Sequence, residues 1–325
     1  MDEHKEIVST LSFVGLAAKI TPMKAEAIAG PVAIAISEAE LGLHQMPRML
    51  RRFFRKRYPV NLHSGKPILE FVLLADGCAA IGVPVVSHSK IEEFLTRGEP
   101  ILKFGKTDPA RDLALLAQYP NTTSEWSRRN LETIGDYSQY LNLGRMTWNF
   151  FLGAAEHQQK LRDIFRTHGR LFIKTVSKGF AQVHGSYDAF MASVGDISRL
   201  SPESQDLLVS EVMDIRPIRA VTPDGAVTRG DEWRHHVYRQ HLVCSTHAFD
   251  CDFHNTDDSG RAANVRKAQD VIDELRDANF STTYVLDTCT LTNGSVAVVE
   301  TNNFFASGIY NKGAIEAIAK AIADE

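Results

Sequence analysis

Asp287, Glu300 and Asn302 are the residues whose types and spacing promise chemistry. They lie in TYVLDTCTLTNGSVAVVETNN (283–303), where two β-rich runs flank Asn293-Gly294. That dipeptide is the strongest short hairpin signal, because both residues tolerate the positive φ of a tight turn. With those two residues as the turn, Thr292 faces Ser295, and counting outward sets Asp287 opposite Glu300. Opposed side chains in a hairpin sit about 5 Å apart on one face. Asn302, two residues beyond Glu300, shares that face. Like charges so placed repel each other, which calls for a cation between them. Two carboxylates and an amide oxygen form a hard-oxygen set suited to Mg²⁺ or Mn²⁺, whose other ligands are commonly water and nucleotide phosphates. The pair is equally open to a bridging Lys or Arg side chain.

Other groupings offer weaker chemistry. Cys244, His247, Cys251 and His254 are zinc-type ligands, but three residues between the two pairs leave little chain to wrap a tetrahedron. A strand end with a buried Cys and surface His is the simpler expectation. His184, His235 and His236 are candidates for a base and equally for packed histidines. Residues 48–57 gather Arg48, Arg51, Arg52, Arg55, Lys56 and Arg57 around Phe53 and Phe54. This is either a contact for an anionic partner such as nucleic acid or a solvated basic face.

The elements that must position these residues read as mixed α and β. Residues 5–46 have helical composition with a break at Gly30-Pro31. The runs 68–75 and 83–88 have strand length, and 90–98 is helix-like, which suggests an N-terminal α/β region. Further on, 149–169 reads as an amphipathic helix closed by Gly169, followed by a strand at 170–176. A helix near 186–199, strands at 206–215 and 234–244, a helix at 264–279, the hairpin and a last helix complete the pattern. The expected division is 1–144, then 145–325 in two parts, about 145–217 and 218–325. The 325 residues carry 36 Lys+Arg and 40 Asp+Glu, a net charge of -4, so the chain has no global field for polyanions. The most apolar stretch, 68–86, is interrupted by Glu70, Asp76, Gly77, Gly82 and Pro84, which argues against a membrane span. The acidic start MDEHKE is unlike a secretory signal. Only four Cys occur, and the expectation is a reducing cytoplasm.

The end of the hairpin and the residues after it, Glu300-Thr301-Asn302-Asn303 and Ser307-Gly308-Ile309-Tyr310, resemble the C-terminal end of ATP-grasp ligases, in particular phage and bacterial ATP-grasp domains. The resemblance covers roughly 145–325, and upstream elements come in the family's order. Leu171-Phe172-Ile173-Lys174 is similar to the strand whose Lys meets the α/β phosphates. Ser177-Lys178-Gly179-Phe180 resembles the loop folding over the phosphates. Leu208 to Met213 resembles the strand that meets adenine, with Glu211, Val212 and Met213 at its edge. Asp231-Glu232-Trp233-Arg234 resembles a Glu-x-Arg motif, with Glu232 toward the nucleotide and Arg234 steadying the transferred phosphoryl. The likeness implies an ATP-grasp fold of two α+β subdomains, with ATP between them and Asp287, Glu300 and Asn302 holding the metal. It implies an ADP-forming ligase that joins a carboxylate, through an acyl phosphate, to an amine on a small molecule or peptide. Phosphoryl transfer to another acceptor, or nucleic-acid binding through 48–57, are the alternative expectations. The loop 174–186 departs from the pattern in holding only Gly179 and Gly185, and Thr301 stands where an apolar residue is usual.

Overall fold

The computed structural model describes residues 32–46, 69–105, 114–115, 117–119, 147–175, 181–195, 206–222, 225–248, 259–277, 283–309 and 312–324. Lys178, Cys251, His254, Tyr310 and the basic segment 48–57 lie outside these residues.

The first unit has the strand β1 (Ala33–Ile36), helix α1 (Glu38–Gln45), helix α2 (Leu69–Ala80), strand β2 (Val85–Ser87), helix α3 (Ile91–Arg97) and strand β3 (Ile101–Lys103). Its sheet is parallel, in the order β2-β1-β3. Every residue of β1 is buried, as a central parallel strand requires. Two expectations fail here. Residues 33–36 are strand, not helix, and 69–80 are helix, not strand. Apolar on nearly all sides, α2 carries no periodicity to separate it from a buried strand. Ser37 closes the N-terminus of α1 with a capping box shared with Glu40.

The second unit is an antiparallel sheet in the order β4-β7-β5-β6. It comprises β4 (Thr147–Phe151), α4 (Ala155–His168), β5 (Leu171–Thr175), β6 (Ala181–His184), α5 (Tyr187–Val194) and β7 (Asp206–Glu211). Leu161 and Phe165 of α4 and Phe190 of α5 pack on Ile173 and Val209 of the sheet. The expected helix at 149–169 begins only at Ala155, because its apolar start, Asn149 to Phe151, pairs with β7. A hairpin that the sequence reading missed, β8 (Pro217–Thr222) with β9 (Gly225–Gly230), follows β7.

The third unit is the antiparallel sheet β11-β10-β12-β13. Its parts are β10 (Glu232–Tyr238), β11 (His241–His247), helix α6 (Arg261–Asp277), β12 (Tyr284–Thr290) and β13 (Val296–Asn302). What reads as one strand at 234–244 is two, folded about Arg239-Gln240, whose φ values of 49° and 65° make a tight hairpin turn. One face carries Val237, Tyr284, Leu286 and Val298 against Ala268, Val271, Ile272 and Leu275 of α6. The opposite face joins the core of the first unit through Val285, Phe304 and Phe305. The last helix, α7 (Lys312–Ala323), packs on α2. A Cβ at Gly77 of α2 would stand 3.3 Å from the Ala319 Cβ, so Gly77 sets how closely the two helices approach. Among the described residues, no helix is long and apolar enough to cross a membrane.

Candidate functional site

Across β10, β12 and β13, Arg234, Asp287 and Glu300 stand in one row. The expected pairing of Asp287 with Glu300 is therefore present, but it arises differently. Leu291 N–H donates to the Ser295 carbonyl at 2.8 Å, so Thr292, Asn293 and Gly294 form a three-residue loop and Thr292 does not face Ser295. Gly294, at φ +83°, takes the left-handed position. This loop shifts the register by one, and a bulge at Val299 shifts it back before Glu300. The tip is tied to the linker after β7, where Thr292 Oγ1 donates to Asp214 Oδ2 at 2.6 Å.

The row is an ion-pair network. Arg234 is bidentate on Asp287, with Nε to Oδ1 at 2.8 Å and Nη2 to Oδ2 at 2.7 Å, the strong fork geometry. Asn302 Nδ2 donates to Asp287 Oδ2 at 3.0 Å and to Glu300 Oε1 at 2.9 Å. Lys174 crosses from β5 of the second unit to donate to Glu300 Oε2. Lys174, Arg234, Asp287 and Asn302 are 8%, 9%, 4% and 3% exposed. Each acid thus has its own cation, Arg234 on Asp287 and Lys174 on Glu300, the Asn302 amide touches both acids, and the acids are largely buried. Glu232 is two residues along β10 from Arg234, opposite Cys289. Burial, then the charges of Asp287 and Glu300, push its carboxyl above the ordinary range. A third carboxylate therefore feels the same field.

The donor set fits a hard divalent cation: two facing carboxylates and an amide, with water and phosphate completing the shell. Among the described residues, no group of three or more His, Cys, Asp or Glu is poised as a protein-only metal cage.

Glu211, Val212 and Met213 line a cavity of about 660 Å³ together with His168, Arg170 and Asp214. His168 Nδ1 lies 3.5 Å from Glu211 Oε1, and the His168 ring stands 5.2 Å from that of Trp148. Leu171, paired with Glu211, is three residues along β5 from Lys174, roughly 10 Å at strand rise. Met213 Sδ meets Cys289 Sγ at 3.9 Å, and Cys289 shares its face of β12 with Asp287. The cavity and the acid row thus adjoin through Met213 and Cys289. His168, Arg170 and Asp214 escaped the sequence reading, since strand-end and linker residues carry no local pattern.

The histidines separate. His184 is buried with its ring 5.3 Å from Phe190. His235 faces α6, away from the acid row, with Nε2 2.8 Å from Thr288 Oγ1 and Nδ1 2.8 Å from Ser245 Oγ. His236 alone of the three lies on the face of Arg234. Cys244 pairs with His236 and His247 with Trp233, so Cys244 and His247 point to opposite faces and cannot meet on one ion.

Residues 151–319 match the family model of an ATP-grasp domain, the second family of its clade. The chain belongs to the ATP-grasp family. No curated protein matches its sequence. Among solved structures, the D-cycloserine synthetase DcsG is 13% identical with a TM-score of 0.56, covering 91% of this chain and 99% of that one. An ATP-grasp RimK domain protein from Sphaerobacter thermophilus is 14% identical with a TM-score of 0.50, covering 91% and 98%. Carboxyaminoimidazole ribonucleotide synthase from Aspergillus clavatus, complexed with ATP, is 10% identical with a TM-score of 0.53, covering 78% and 73%. At these identities the likeness is one of fold.

Proposed function

We propose that this ATP-grasp protein is an ADP-forming ligase that converts a carboxylate to an acyl phosphate and couples it to an amine. The observation that carries the reading is Lys174 of one sheet meeting Glu300 of another, beside a cavity edged by Glu211, Val212 and Met213. A triphosphate running from that cavity passes between the two cations of the network. Its adenine would sit against residues 211–213 and its phosphates at Lys174, Lys178 and the acid row. Glu232, two residues along β10 from Arg234, adds a carboxylate at the nucleotide edge.

Asp287, Glu300 and Asn302 would hold Mg²⁺ or Mn²⁺, which supplies charge neutralisation for the phosphates. Lys174 would turn from the Glu300 carboxylate to phosphate oxygens as ATP binds. Arg234, held by Asp287, would face the charge that develops on the transferred phosphoryl. The substrate carboxylate oxygen attacks the γ-phosphorus as ADP leaves. The amine then attacks the acyl carbon, and phosphate departs with the electron pair of the broken C–O bond and takes up the proton that the amine nitrogen loses. Residues 145–325 form the nucleotide module in this reading, the N-terminal region contributes to acceptor recognition, and the reaction belongs in the cytoplasm. D-cycloserine synthetase and the RimK domain protein share the fold, and the carboxyaminoimidazole ribonucleotide synthase was solved with ATP, which agrees with a small-molecule or peptide ligase using ATP.

The test is incubation with ATP, Mg²⁺ and pools of carboxylates and primary amines, followed by mass spectrometry. The expected products are ADP and a condensed amide. Release of AMP would contradict the mechanism. ADP with a phosphorylated hydroxyl product would mark phosphoryl transfer to a non-carboxylate acceptor instead.

A further inference from the structure

Every carboxylate oxygen of the acid row is engaged by a donor of the chain itself. Asp287 Oδ1 accepts from Arg234 Nε, and Oδ2 accepts from Arg234 Nη2 and Asn302 Nδ2. Glu300 Oε1 accepts from Asn302 Nδ2, and Oε2 accepts from the Lys174 ammonium. Two negative charges thus meet two positive ones. The repulsion between facing carboxylates, which calls for a cation, is met from within the protein. Asn302 offers both acids its donor nitrogen, whereas a metal would take its oxygen.

The two cations are held differently. Arg234 reaches Asp287 from the adjacent strand of the same sheet, through a fork of two bonds. Its Nη1 donates to the Gly308 carbonyl at 3.4 Å. Lys174 comes from another sheet, and its ammonium is a point charge on a flexible stem. The side chain of its partner Glu300 is 18% exposed, against 6% for Asp287. Lys174 is therefore the cation that an arriving ligand can displace. A divalent ion arriving alone would put four positive charges against two negative ones in a largely buried row, where like charges repel strongly. Phosphates that arrive with the ion supply the missing negative charge and give the Lys174 ammonium new acceptors.

We propose that Lys174 is a built-in stand-in for the metal, closing Glu300 to free divalent cations and releasing it only to a metal–nucleotide complex. The inference rests on the nucleotide-site reading above and deepens it, because it names the form in which the ion is accepted. Metal and nucleotide then bind with positive coupling, each raising the affinity for the other. Arg234 stays on Asp287 throughout.

Electron paramagnetic resonance of Mn²⁺ tests this without turnover, since the free ion's signal falls when the ion is bound. Wild-type protein without nucleotide should leave the signal undiminished. Lys174→Met keeps much of the stem and removes the charge. It should bind Mn²⁺ by itself, about tenfold or more tightly than wild type, once a buried like charge is gone. Its melting temperature should climb with added Mn²⁺ where that of the wild type does not. Lys174→Arg, which keeps the charge, should stay closed to the free ion. Adding Glu300→Gln to Lys174→Met should abolish the new binding. A folded Lys174→Met that ignores Mn²⁺ would overturn the proposal. So would saturable binding of free Mn²⁺ to the wild type that Glu300→Gln removes, a result that does not depend on any Lys174 variant folding. The nucleotide reading is tested apart: Mn²⁺ complexed with the analogue AMPPNP should bind the wild type, seen as enhanced water-proton relaxation. Failure of that complex to bind would overturn the nucleotide site and the release step together, whereas binding of the free ion to the wild type overturns the closure alone.

Discussion

Glu300 answers to two neighbours at once, Lys174 across the cleft and the Asn302 amide on its own strand. Glu300→Gln keeps the shape but removes the charge and leaves one acceptor oxygen for the two donors. ATP turnover should then fall by about a hundred- to a thousandfold, as it does when one preorganised electrostatic contact is lost, while the melt stays cooperative. Normal ADP release from a natively melting variant would sink the metal assignment. Lys174→Ala has a different signature. It strips the cation from a carboxylate that is 18% exposed, and breaking such a pair costs about 3 kcal/mol. Denaturant unfolding should show that loss and ATP titration a weakened affinity. Full ATP affinity in the folded variant would remove Lys174 from the phosphate site.

Strand β10 is held in register at its start by a lock at Asp231. Burial there opposes the charge, but hydrogen bonds involving His247, Thr290, Arg216 and Trp233 hold the carboxyl well below the usual range. Helix α6 is pressed onto the same place. A Cβ at Gly260 would stand 2.8 Å from Asp231 Oδ2 and 2.9 Å from Thr290 Oγ1. Asn264 of α6 adds hydrogen bonds to the Gly260 carbonyl and Thr290 Oγ1, both at 2.9 Å. Gly260→Ala should therefore cost about 1–3 kcal/mol, the usual penalty of overpacking, read as a lower denaturation midpoint. Because the lock sets where β10 meets β12, turnover should fall as well. A midpoint equal to wild type would show that α6 can shift without cost.

The molecule as a whole buries histidines on both faces of its third sheet, which couples its stability to pH. Burial lowers His235 to about 3, and His236 likewise. In the unfolded chain each titrates at about 6.5. As pH falls through about 6.5 the unfolded state takes up protons that the folded state refuses, so stability is fully present above that pH and declines toward pH 3. Glu70 works the other way. Its raised value makes the folded state the better proton binder between about 4.3 and 7. Glu232, also raised, acts with Glu70, and His184, also lowered, acts with His235 and His236; with three histidines against two carboxyls, stability should rise with pH between about 5 and 6.5. His235→Gln, still able to bond Ser245 and Thr288, should flatten that rise, measured as denaturation midpoints across pH. An unchanged slope would place the titration elsewhere.

Local chemistry and order were legible in the sequence. The acids on two β-rich runs, the Lys on a strand, the Arg after an acidic pair and the Gly that ends a helix are all short-range signals, and side-chain alternation needs no tertiary information. Even so, Asp287 met Glu300 because two irregularities cancel, a three-residue loop at Gly294 and a bulge at Val299. Neither is visible in residue types alone. Residues 69–80 could not be read as helix, because an element apolar on nearly all sides shows no clear period. The turn at Arg239-Gln240 was hidden, because it uses residues that seldom adopt positive φ. Only the tertiary structure decided which face each strand residue takes. It sends His235 to the α6 side and His236 to the Arg234 side, and it parts Cys244 from His247. It also brings Lys174 to Glu300, 126 residues apart. Such contacts depend on how separate sheets and helices stack, and the free energy that stacks them is the non-directional burial of apolar surface, which leaves no mark on the spacing of the polar residues it assembles.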